Sequence, residues 1–470
     1  MCACECVNDS KQTNQMDSEL INVIFLGLGF LFLYSATQTS FFIQAIVVAS
    51  VNDEYRDAWN GKEWNAYGAL GVYYFVFAFS GFIAPAIIAK TGPKLSLIVS
   101  AISLWLVNFV FIFPFYPGLI LSSIFSGFGS AVLWTAEGSF LALNSNKHTI
   151  DRNTSIFWIL FSSNLVVGNI FVMYEFAGEE YIQPHTRIVT YSMLTVCATI
   201  GCIMMFFLRD VKPSEELEIP NISPWQAFKS AFKLLKTKQM LFFSVLFLYL
   251  GVVVMFYSSI YSTAIGFTKA FGKDRKKYSG ESGILLGAGE ILGAVIAMRV
   301  SARSSKPRSH GSILVLIGYT LQMFAFVTVY FNLPAAASLR ETDDLALMPT
   351  NLILGLLVSF LLGLGDAFIE IQAIALLSML YQDKSASAFA IFTFVQSIVS
   401  AGGFFYSNYV DLHVHACLLV VTATIGILAM LKIYSMNPDE PGSQKTIKKR
   451  DIDENQNEQT VDFSLRSLKC

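Results

Sequence analysis

The sequence predicts an all-α membrane protein in which twelve transmembrane helices form two six-helix repeats. Three observations support this fold class. Hydrophobic residues make up 54% of the 470 residues and charged residues only 14%, whereas a soluble domain has about 25% charged residues. Twelve apolar segments divide six and six around one long polar connection. Part of the first half also recurs in the second half.

The recurrence involves two motifs at matched spacing. The segment Gly-Phe-Gly-Ser-Ala at 127–131 returns as Gly-Leu-Gly-Asp-Ala at 363–367, and Ile156-Phe157 returns as Ile391-Phe392. The step between the motifs is 28 residues in the first half and 27 in the second, counted from the second glycine to the phenylalanine. A doubled six-helix unit is typical of transporters whose halves rock around a central site.

The bounds of the helices follow from the width of a bilayer, since a core of about 30 Å needs about 20 apolar residues per helix. The predicted spans are 21–50, 66–89, 95–113, 117–143, 154–174, 188–208, 240–266, 279–300, 311–332, 350–380, 386–409 and 412–433. They divide the chain into an N-terminal tail (1–20), a first half (21–208), a linker (209–239), a second half (240–433) and a C-terminal tail (434–470) that is predicted to be disordered.

The distribution of basic residues predicts the orientation. With the N-terminus in the cytosol, 23 Lys and Arg residues fall on the inner side and 9 on the outer side, so the bias favours two cytoplasmic termini. A cluster of five basic residues on the predicted outer side runs against this bias. It consists of Lys269, Lys273, Arg275, Lys276 and Lys277.

The linker contains one predicted amphipathic helix. Ser223 can cap it and Pro224 suits its first turn. Trp225, Phe228, Phe232 and Leu235 then recur at helical spacing, with Lys229, Lys233 and Lys236 beside them. The pattern favours a helix on the inner leaflet with its lysines toward anionic headgroups; a solvated, partly helical linker is the alternative.

Four acids lie well inside predicted spans: Glu137, Glu290, Asp366 and Glu370. A charge at that depth costs about 2.5–3.5 kcal/mol on insertion scales. Such a carboxyl group must therefore bind a proton, face a water-filled cavity or meet a cation. All three outcomes suit a pathway for a solute.

Helical spacing groups these acids. Asp366 and Glu370 are four residues apart and share one face of the tenth helix, while Trp134 and Glu137 share a face of the fourth. Because the repeat makes these helices equivalent, one hypothesis is that they meet across the centre and bind an organic cation or couple an amine to protons. The alternative is that the acids bond to neighbouring helices as structural contacts. The full set of candidate cavity or coupling residues is Glu137, Trp134, Glu290, Asp366, Glu370 and Gln396.

Glu290 lies between two pairs of glycines at four-residue spacing, Gly283 with Gly287 and Gly289 with Gly293. This spacing allows helix backbones to approach closely.

No pattern predicts an enzyme. The sequence has no phosphate-binding loop, no Gly-x-Ser-x-Gly nucleophile motif and no His-Glu-x-x-His metal motif. We therefore expect no catalytic residues, no cofactor and no metal site. The net charge of −2 argues against a nucleic-acid partner. The expected partners are the lipid bilayer and a small solute.

The chain resembles the uncoordinated-93 family, a branch of the major facilitator superfamily also called ion-channel regulatory proteins. The resemblance covers most of the membrane portion and rests on long motifs. They are 127–138 (GFGSAVLWTAEG), Asn144-Ser145 with His148, 152–158 (RNTSIFW), 289–293 (GEILG), 361–366 (LLGLGD), 389–392 (FAIF), Gln396-Ser397 and 404–409 (FFYSNY).

The resemblance implies the twelve-helix major facilitator fold and a choice between two functions. The family is best known for a regulatory partner of a potassium channel, one relative escorts receptors, and other relatives are transporter-like. In the superfamily's loop motif between helices two and three, this chain has Pro85 in place of the first glycine and Ala89 in place of the aspartate, although Lys90, Gly92 and Lys94 remain. The aspartate normally helps to latch the two halves, so its loss argues for the regulatory alternative. The acids within the spans favour the other function, a transporter of a small solute. In this hypothesis, transport is coupled to protons.

Overall fold

The computed structural model describes residues 2–145, 149–210, 224–303 and 307–437, with α-helix as the main secondary structure. Eight helices form the first six spans. They are α1 (Cys2–Tyr55), α2 (Ala66–Ser80), α3 (Ala84–Thr91), α4 (Pro93–Ile112), α5 (Gly118–Leu143), α6 (Ile150–Ser162), α7 (Asn164–Glu175) and α8 (Pro184–Phe206).

A separate short helix, α9 (Pro224–Leu235), lies in the linker, where the spacing of its apolar residues predicts a helix. The remaining helices form the last six spans. They are α10 (Lys238–Met255), a π-helical turn (Phe256–Ile260), α11 (Tyr261–Phe267), α12 (Arg275–Arg303), α13 (Pro307–Asn332), α14 (Leu352–Leu380), α15 (Ser385–Tyr406) and α16 (Leu412–Met436).

Eleven of the described segments are long and apolar enough to cross a bilayer, and the bent pair α2–α3 makes a twelfth. Two other spans also contain a local irregularity: α6 and α7 form the fifth, and α10, the π-helical turn and α11 form the seventh. The all-α fold with twelve predicted spans is therefore confirmed. The helix α1 begins at Cys2, so the predicted boundary between the N-terminal tail (1–20) and the first span falls inside a helix.

The second span bends by 65° between α2 and α3. Pro85 lies in the first turn of α3 and has no backbone N–H to donate to the carbonyl group of Gly81, four residues earlier. A proline at this point accounts for the bend. It is the same proline that replaces a glycine of the superfamily loop motif.

The packing of the helices reflects the internal repeat. Between the halves, the second span packs on the eleventh through α2 and α15, and the fifth packs on the eighth through α7 and α12. In the repeat, the second span corresponds to the eighth and the fifth to the eleventh, so each of these two contacts is the counterpart of the other. The two interfaces are thus the equivalent contacts that a pseudo-twofold relation between six-helix repeats requires.

The four glycines beside Glu290 serve two different interfaces. A Cβ atom added at Gly283 would lie 2.3 Å from Asn169 Cγ of α7, while one added at Gly289 would lie 2.2 Å from the Phe360 carbonyl oxygen of α14. The helix α12 therefore contacts the other half of the protein on one side and α14 on the other. Close backbone approach holds the helix that presents Glu290 between them.

Candidate functional site

The tenth span presents the central member of the site. Asp366 is buried on α14, with only 3% of its surface exposed. Tyr257 Oη, from the π-helical turn, donates a hydrogen bond of 3.1 Å to Asp366 Oδ2. Asp366 Oδ1 has no hydrogen-bond partner among the described residues. One oxygen of a buried carboxyl group is thus left to bind something other than the protein.

Two further acids lie beside Asp366. Glu370, half-buried, follows one turn later on α14 and interacts electrostatically with Asp366. Glu290, also half-buried, projects from α12 and interacts with both. A Cβ atom added at Gly363 would lie 3.1 Å from the backbone nitrogen of Glu290, which shows how closely the two helices approach. We call these three residues the acid cluster.

Amide and hydroxyl groups surround the acid cluster. The side chain of Gln396, from α15, lies within hydrogen-bonding reach of Glu370. Tyr249, which interacts electrostatically with Asp366, donates a hydrogen bond to Gln322 Oε1. The Nε2 group of Gln322 has no partner within the described residues. The seventh, ninth, tenth and eleventh spans all contribute to this polar region.

The first half approaches the acid cluster through tyrosines. Tyr74 of α2 interacts with Tyr257 and with Ser258 of the π-helical turn. Its neighbour Tyr73 donates a hydrogen bond of 2.8 Å to Ser130 Oγ of α5. Tyrosine hydroxyl groups therefore lie between the acid cluster of the second half and Ser130 of the first.

Four of the six sequence-predicted site residues come together: Asp366, Glu370, Glu290 and Gln396. Glu137 and Trp134 lie in the other half on α5. The carboxyl group of Glu137 is buried and makes no ion pair with a described residue. The indole of Trp134 packs among rings of its own half, 5.2 Å from Phe30 and 5.1 Å from Phe161 between ring centroids. Glu137 and Trp134 are therefore located in the first half and are not part of the acid cluster.

Sequence reasoning missed the tyrosines of the site. Tyr249, Tyr257 and Tyr261 recur along the seventh span at spacings of eight and four residues, which is helical periodicity. A row of phenolic hydroxyl groups in an otherwise apolar span was the available signal. It gained meaning only when α10 and the π-helical turn were placed beside α14.

The basic cluster on the predicted outer side is paired with acids. We call this end of the bundle, where α12 begins, the Arg275 end. The side chains of Arg275 and Lys276 both form ion pairs with Glu341, which precedes α14. Lys269 pairs with Asp343 at 3.0 Å. The sequence alone did not explain why basic residues gather on the predicted outer side. The structure shows that acids near the start of α14 neutralise Lys269, Arg275 and Lys276.

The Arg275 end also joins the two halves. Arg275 Nη2 donates a hydrogen bond of 2.8 Å to the carbonyl oxygen of Glu180, which follows α7. Asp274 Oδ1 accepts one of 2.9 Å from the backbone N–H of Gly178. Nearby, Tyr67 Oη of α2 donates to the Ser338 carbonyl oxygen over 2.7 Å. The halves are therefore held together at this end by polar contacts.

The loop with the altered superfamily motif lies at the opposite end. Ala89 is exposed near the end of α3, and Gly92 adopts a positive φ of 78° just before α4. Lys94 forms an ion pair of 3.3 Å with Asp210, at the start of the linker. Ala89 carries no carboxylate, so this position cannot form a charged contact with the second half.

Comparison with known proteins agrees with this architecture. Residues 61–431 match the family described as ion channel regulatory protein UNC-93. UNC93-like protein MFSD11 of Xenopus laevis is 34% identical over 431 residues, which cover 87% of this chain and 95% of the relative. Human protein unc-93 homolog A is 24% identical over 472 residues, covering 91% and 96% of the two chains.

Solved structures share the fold at low sequence identity. A nucleoside transporter, NupG, superposes with a TM-score of 0.59 at 14% identity and covers 89% of this chain and 99% of its own. A POT family transporter in complex with 5-aminolevulinic acid gives a TM-score of 0.61 at 12% identity, covering 88% and 95%. The resemblance found in the sequence motifs is thus confirmed: the chain is an integral, multi-pass membrane protein of transporter-like major facilitator fold, and it belongs to the UNC-93 family.

Proposed function

We propose that the protein carries a small solute across the membrane and that its acid cluster binds the proton or cation that drives or accompanies this movement. One observation carries the proposal. Asp366, Glu370 and Glu290 gather between α12 and α14, and none forms an ion pair with a Lys, Arg or His in the described part of the chain.

Three carboxyl groups cannot all remain charged in such a place. Each charge at the centre of a span costs about 2.5–3.5 kcal/mol, and like charges in contact raise that cost. Binding of protons or of one cationic solute relieves both penalties. We assign Asp366, through its unpartnered oxygen, as the principal binding group, with Glu370 and Glu290 as neighbouring acceptors and Gln396 as the group that orients Glu370.

In this proposal, the predicted halves 21–208 and 240–433 are the moving units and the linker 209–239 connects them on the cytoplasmic side, together with both termini. The polar contacts at the Arg275 end close the predicted outer face. They must separate for the acid cluster to open outward. The function needs no catalytic residue, so we also infer that the protein is not an enzyme.

Uptake by vesicles containing the purified protein tests the proposal. The solutes are a panel of cationic, neutral and anionic compounds, each with and without a pH gradient. We expect uptake of at least one solute to respond to the gradient and to fall at least tenfold in Asp366→Asn and Glu370→Gln. Glu63→Gln, which removes an exposed acid between α1 and α2, is the control. Uptake that ignores the gradient and both variants would contradict the proposal.

A second function is favoured by a different observation. Near the end of α3, Ala89 stands where the superfamily motif has the aspartate that is expected to latch the two halves, and the matched family is described by regulation of ion channels. The alternative is a non-transporting partner of a channel or another membrane protein. Absence of uptake for the whole panel, together with a channel that co-purifies with the protein from native membranes, would support it.

A further inference from the structure

The linker helix α9 is anchored to the bundle along one face. Ala231 and Leu234 are buried, and α9 packs against α15 and α10. Ser230 Oγ and Ser387 Oγ, at the start of α15, are 2.8 Å apart and share a hydrogen bond. The helix therefore has a defined place on the end of the bundle opposite the Arg275 end.

A second face of α9 presents three aromatic rings to the surroundings. Trp225 is 63% exposed and Phe232 is 50% exposed, with Phe228 between them. The rings stack nearly parallel, with centroids 5.8 Å apart from Trp225 to Phe228 and 6.2 Å apart from Phe228 to Phe232. Large aromatic side chains at the end of a transmembrane bundle suit the boundary between acyl chains and headgroups.

A third face carries positive charge. Lys229 and Lys233 of α9, and Lys236 directly after it, are exposed, and no ion pair joins them to an acid within the described ranges. Lys229 Nζ lies 5.2 Å from the Trp225 ring and Lys236 Nζ lies 4.7 Å from the Phe232 ring. The charges thus border the aromatic face. Apolar rings beside unpaired lysines complement a lipid with an apolar tail and an anionic headgroup.

The helix also lies over an interface between the two halves. Phe228 contacts Phe82, with ring centroids 5.3 Å apart, and Phe82 lies at the bend between α2 and α3. Phe82 in turn contacts Phe394 of α15, 5.4 Å away. One side of α9 therefore contacts the bend of the second span in the first half, while its anchor is in the second half.

We propose that α9 is a binding site for anionic phospholipid, and that lipid bound there holds the helix against the α2–α15 interface. The lysines bind the headgroup and the three aromatic rings lie against the acyl chains. The inference does not depend on transport, because a regulatory protein of the same fold would hold the same lipid.

The experiment uses the full chain in nanodiscs of phosphatidylcholine mixed with phosphatidylserine. Brominated phosphatidylserine or brominated phosphatidylcholine is the quencher of tryptophan fluorescence, and Trp225→Phe isolates the contribution of Trp225. We expect stronger quenching of Trp225 by the anionic lipid than by the zwitterionic lipid, and a preference that decreases as salt is raised.

Three neutral variants test the charge. Combining Lys229→Gln, Lys233→Gln and Lys236→Gln should abolish the preference, with a loss of up to about fivefold per lysine. The matched control combines Lys90→Gln, Lys384→Gln and Lys432→Gln, three exposed lysines on the same predicted side, and should retain it. Unchanged circular dichroism establishes that both variants are folded.

Either of two quenching results would overturn the proposal, and so would one result from purification. One is equal quenching of Trp225 by both lipids at low salt, which would show an apolar contact without headgroup recognition. The other is an equal loss of preference in the α9 variant and in the control, which would show a general effect of charge. A protein that co-purifies on α9 and excludes phosphatidylserine would likewise replace lipid as the occupant.

Discussion

The hydroxyl group of Tyr257 donates a hydrogen bond of 3.1 Å to Asp366 Oδ2. This contact joins the π-helical turn of the seventh span to the middle of the tenth. Short π-helical segments occur frequently at functional sites because they rotate side chains out of the regular helical register. Here the irregular turn brings a phenol to the one acid of the cluster that is almost fully buried.

Removal of this phenol should destabilise the protein through Asp366. In Tyr257→Phe, both oxygens of the buried carboxyl group lack a protein partner, which should cost about 1–3 kcal/mol. The same change in an Asp366→Asn background should cost less, because the carboxyl group that accepts this hydrogen bond is already absent. Unfolding of the purified wild type, the single variants and the double variant gives the coupling directly.

Tyr319→Phe is the control for that cycle. Its hydroxyl group shares a hydrogen bond of 3.0 Å with Thr424, and both residues are half-buried and neutral. We expect this variant to lose about 1 kcal/mol or less. If the losses in free energy of unfolding for Tyr257→Phe and Asp366→Asn are additive in the double variant, the two side chains do not interact.

Glu341 should contribute more stability than the other acids at the Arg275 end. Its substitution by Gln removes two ion pairs at once and leaves the charge of Lys276, only 2% exposed, without its partner. We expect a loss of about 2–4 kcal/mol, read as a lower thermal unfolding midpoint. Asp343→Asn breaks an ion pair whose members are 38% and 76% exposed and should cost under about 1 kcal/mol. A similar loss in both variants would contradict this assignment.

The contribution of Glu341 should also disappear in acid. Partial burial opposes ionisation of this carboxyl group, but the charges and hydrogen bonds of Lys276 and Arg275 prevail and hold the pKa of Glu341 below its usual value. A lowered pKa in the folded state means that the stabilisation is complete above the unfolded pKa of about 4.3 and is lost as the pH falls through the folded value.

Thermal unfolding of the wild type and of Glu341→Gln from neutral pH to about pH 3 measures this effect. We expect a constant difference above about pH 5 and a shrinking difference below it. A difference that persists unchanged in acid would indicate that the Gln variant perturbs packing and not charge.

Addition of one methyl group at Gly289 should separate two helices of the site. A Cβ atom there would lie 2.2 Å from the Phe360 carbonyl oxygen of α14, so Gly289→Ala must shift α12 and should destabilise the protein by about 1–3 kcal/mol. The control is Gly402→Ala on α15, where a Cβ atom meets nothing within 4 Å. It should be neutral or stabilising by up to about 1 kcal/mol, because alanine favours helix. Equal unfolding midpoints for the two variants would show that α12 and α14 can separate without cost.

The spans could be predicted from the sequence because their signal is local. A helix that crosses a bilayer must satisfy its own backbone hydrogen bonds and present apolar side chains over its length. Each span can therefore be recognised from a stretch of about 20 residues. The bend at Pro85 is local in the same sense, since a proline affects the carbonyl group one turn before it. The pairing of Asp366 with Glu370 follows from their separation along one helix.

The remaining contacts depend on which helices are neighbours. Glu290 joins Asp366 only because α12 packs on α14. Glu137 is not part of the cluster, because its helix α5, the equivalent of α14 in the repeat, belongs to the first half. In the same way, the basic residues near Arg275 meet acids at 180 and 341, which are far away in the sequence. Periodicity along one helix says which side chains share a face, but it does not say what that face meets.

The sequence by itself determined the membrane environment, the twelve spans, the doubling of the six-helix unit and the family. The tertiary structure alone decided which acids form a cluster, which tyrosines surround them and how the basic cluster is neutralised. The physical reason is the distance along the chain over which each property is set. The length of an apolar segment and its helical spacing are local to that segment, whereas the burial and pairing of a charge depend on distant residues brought together by packing.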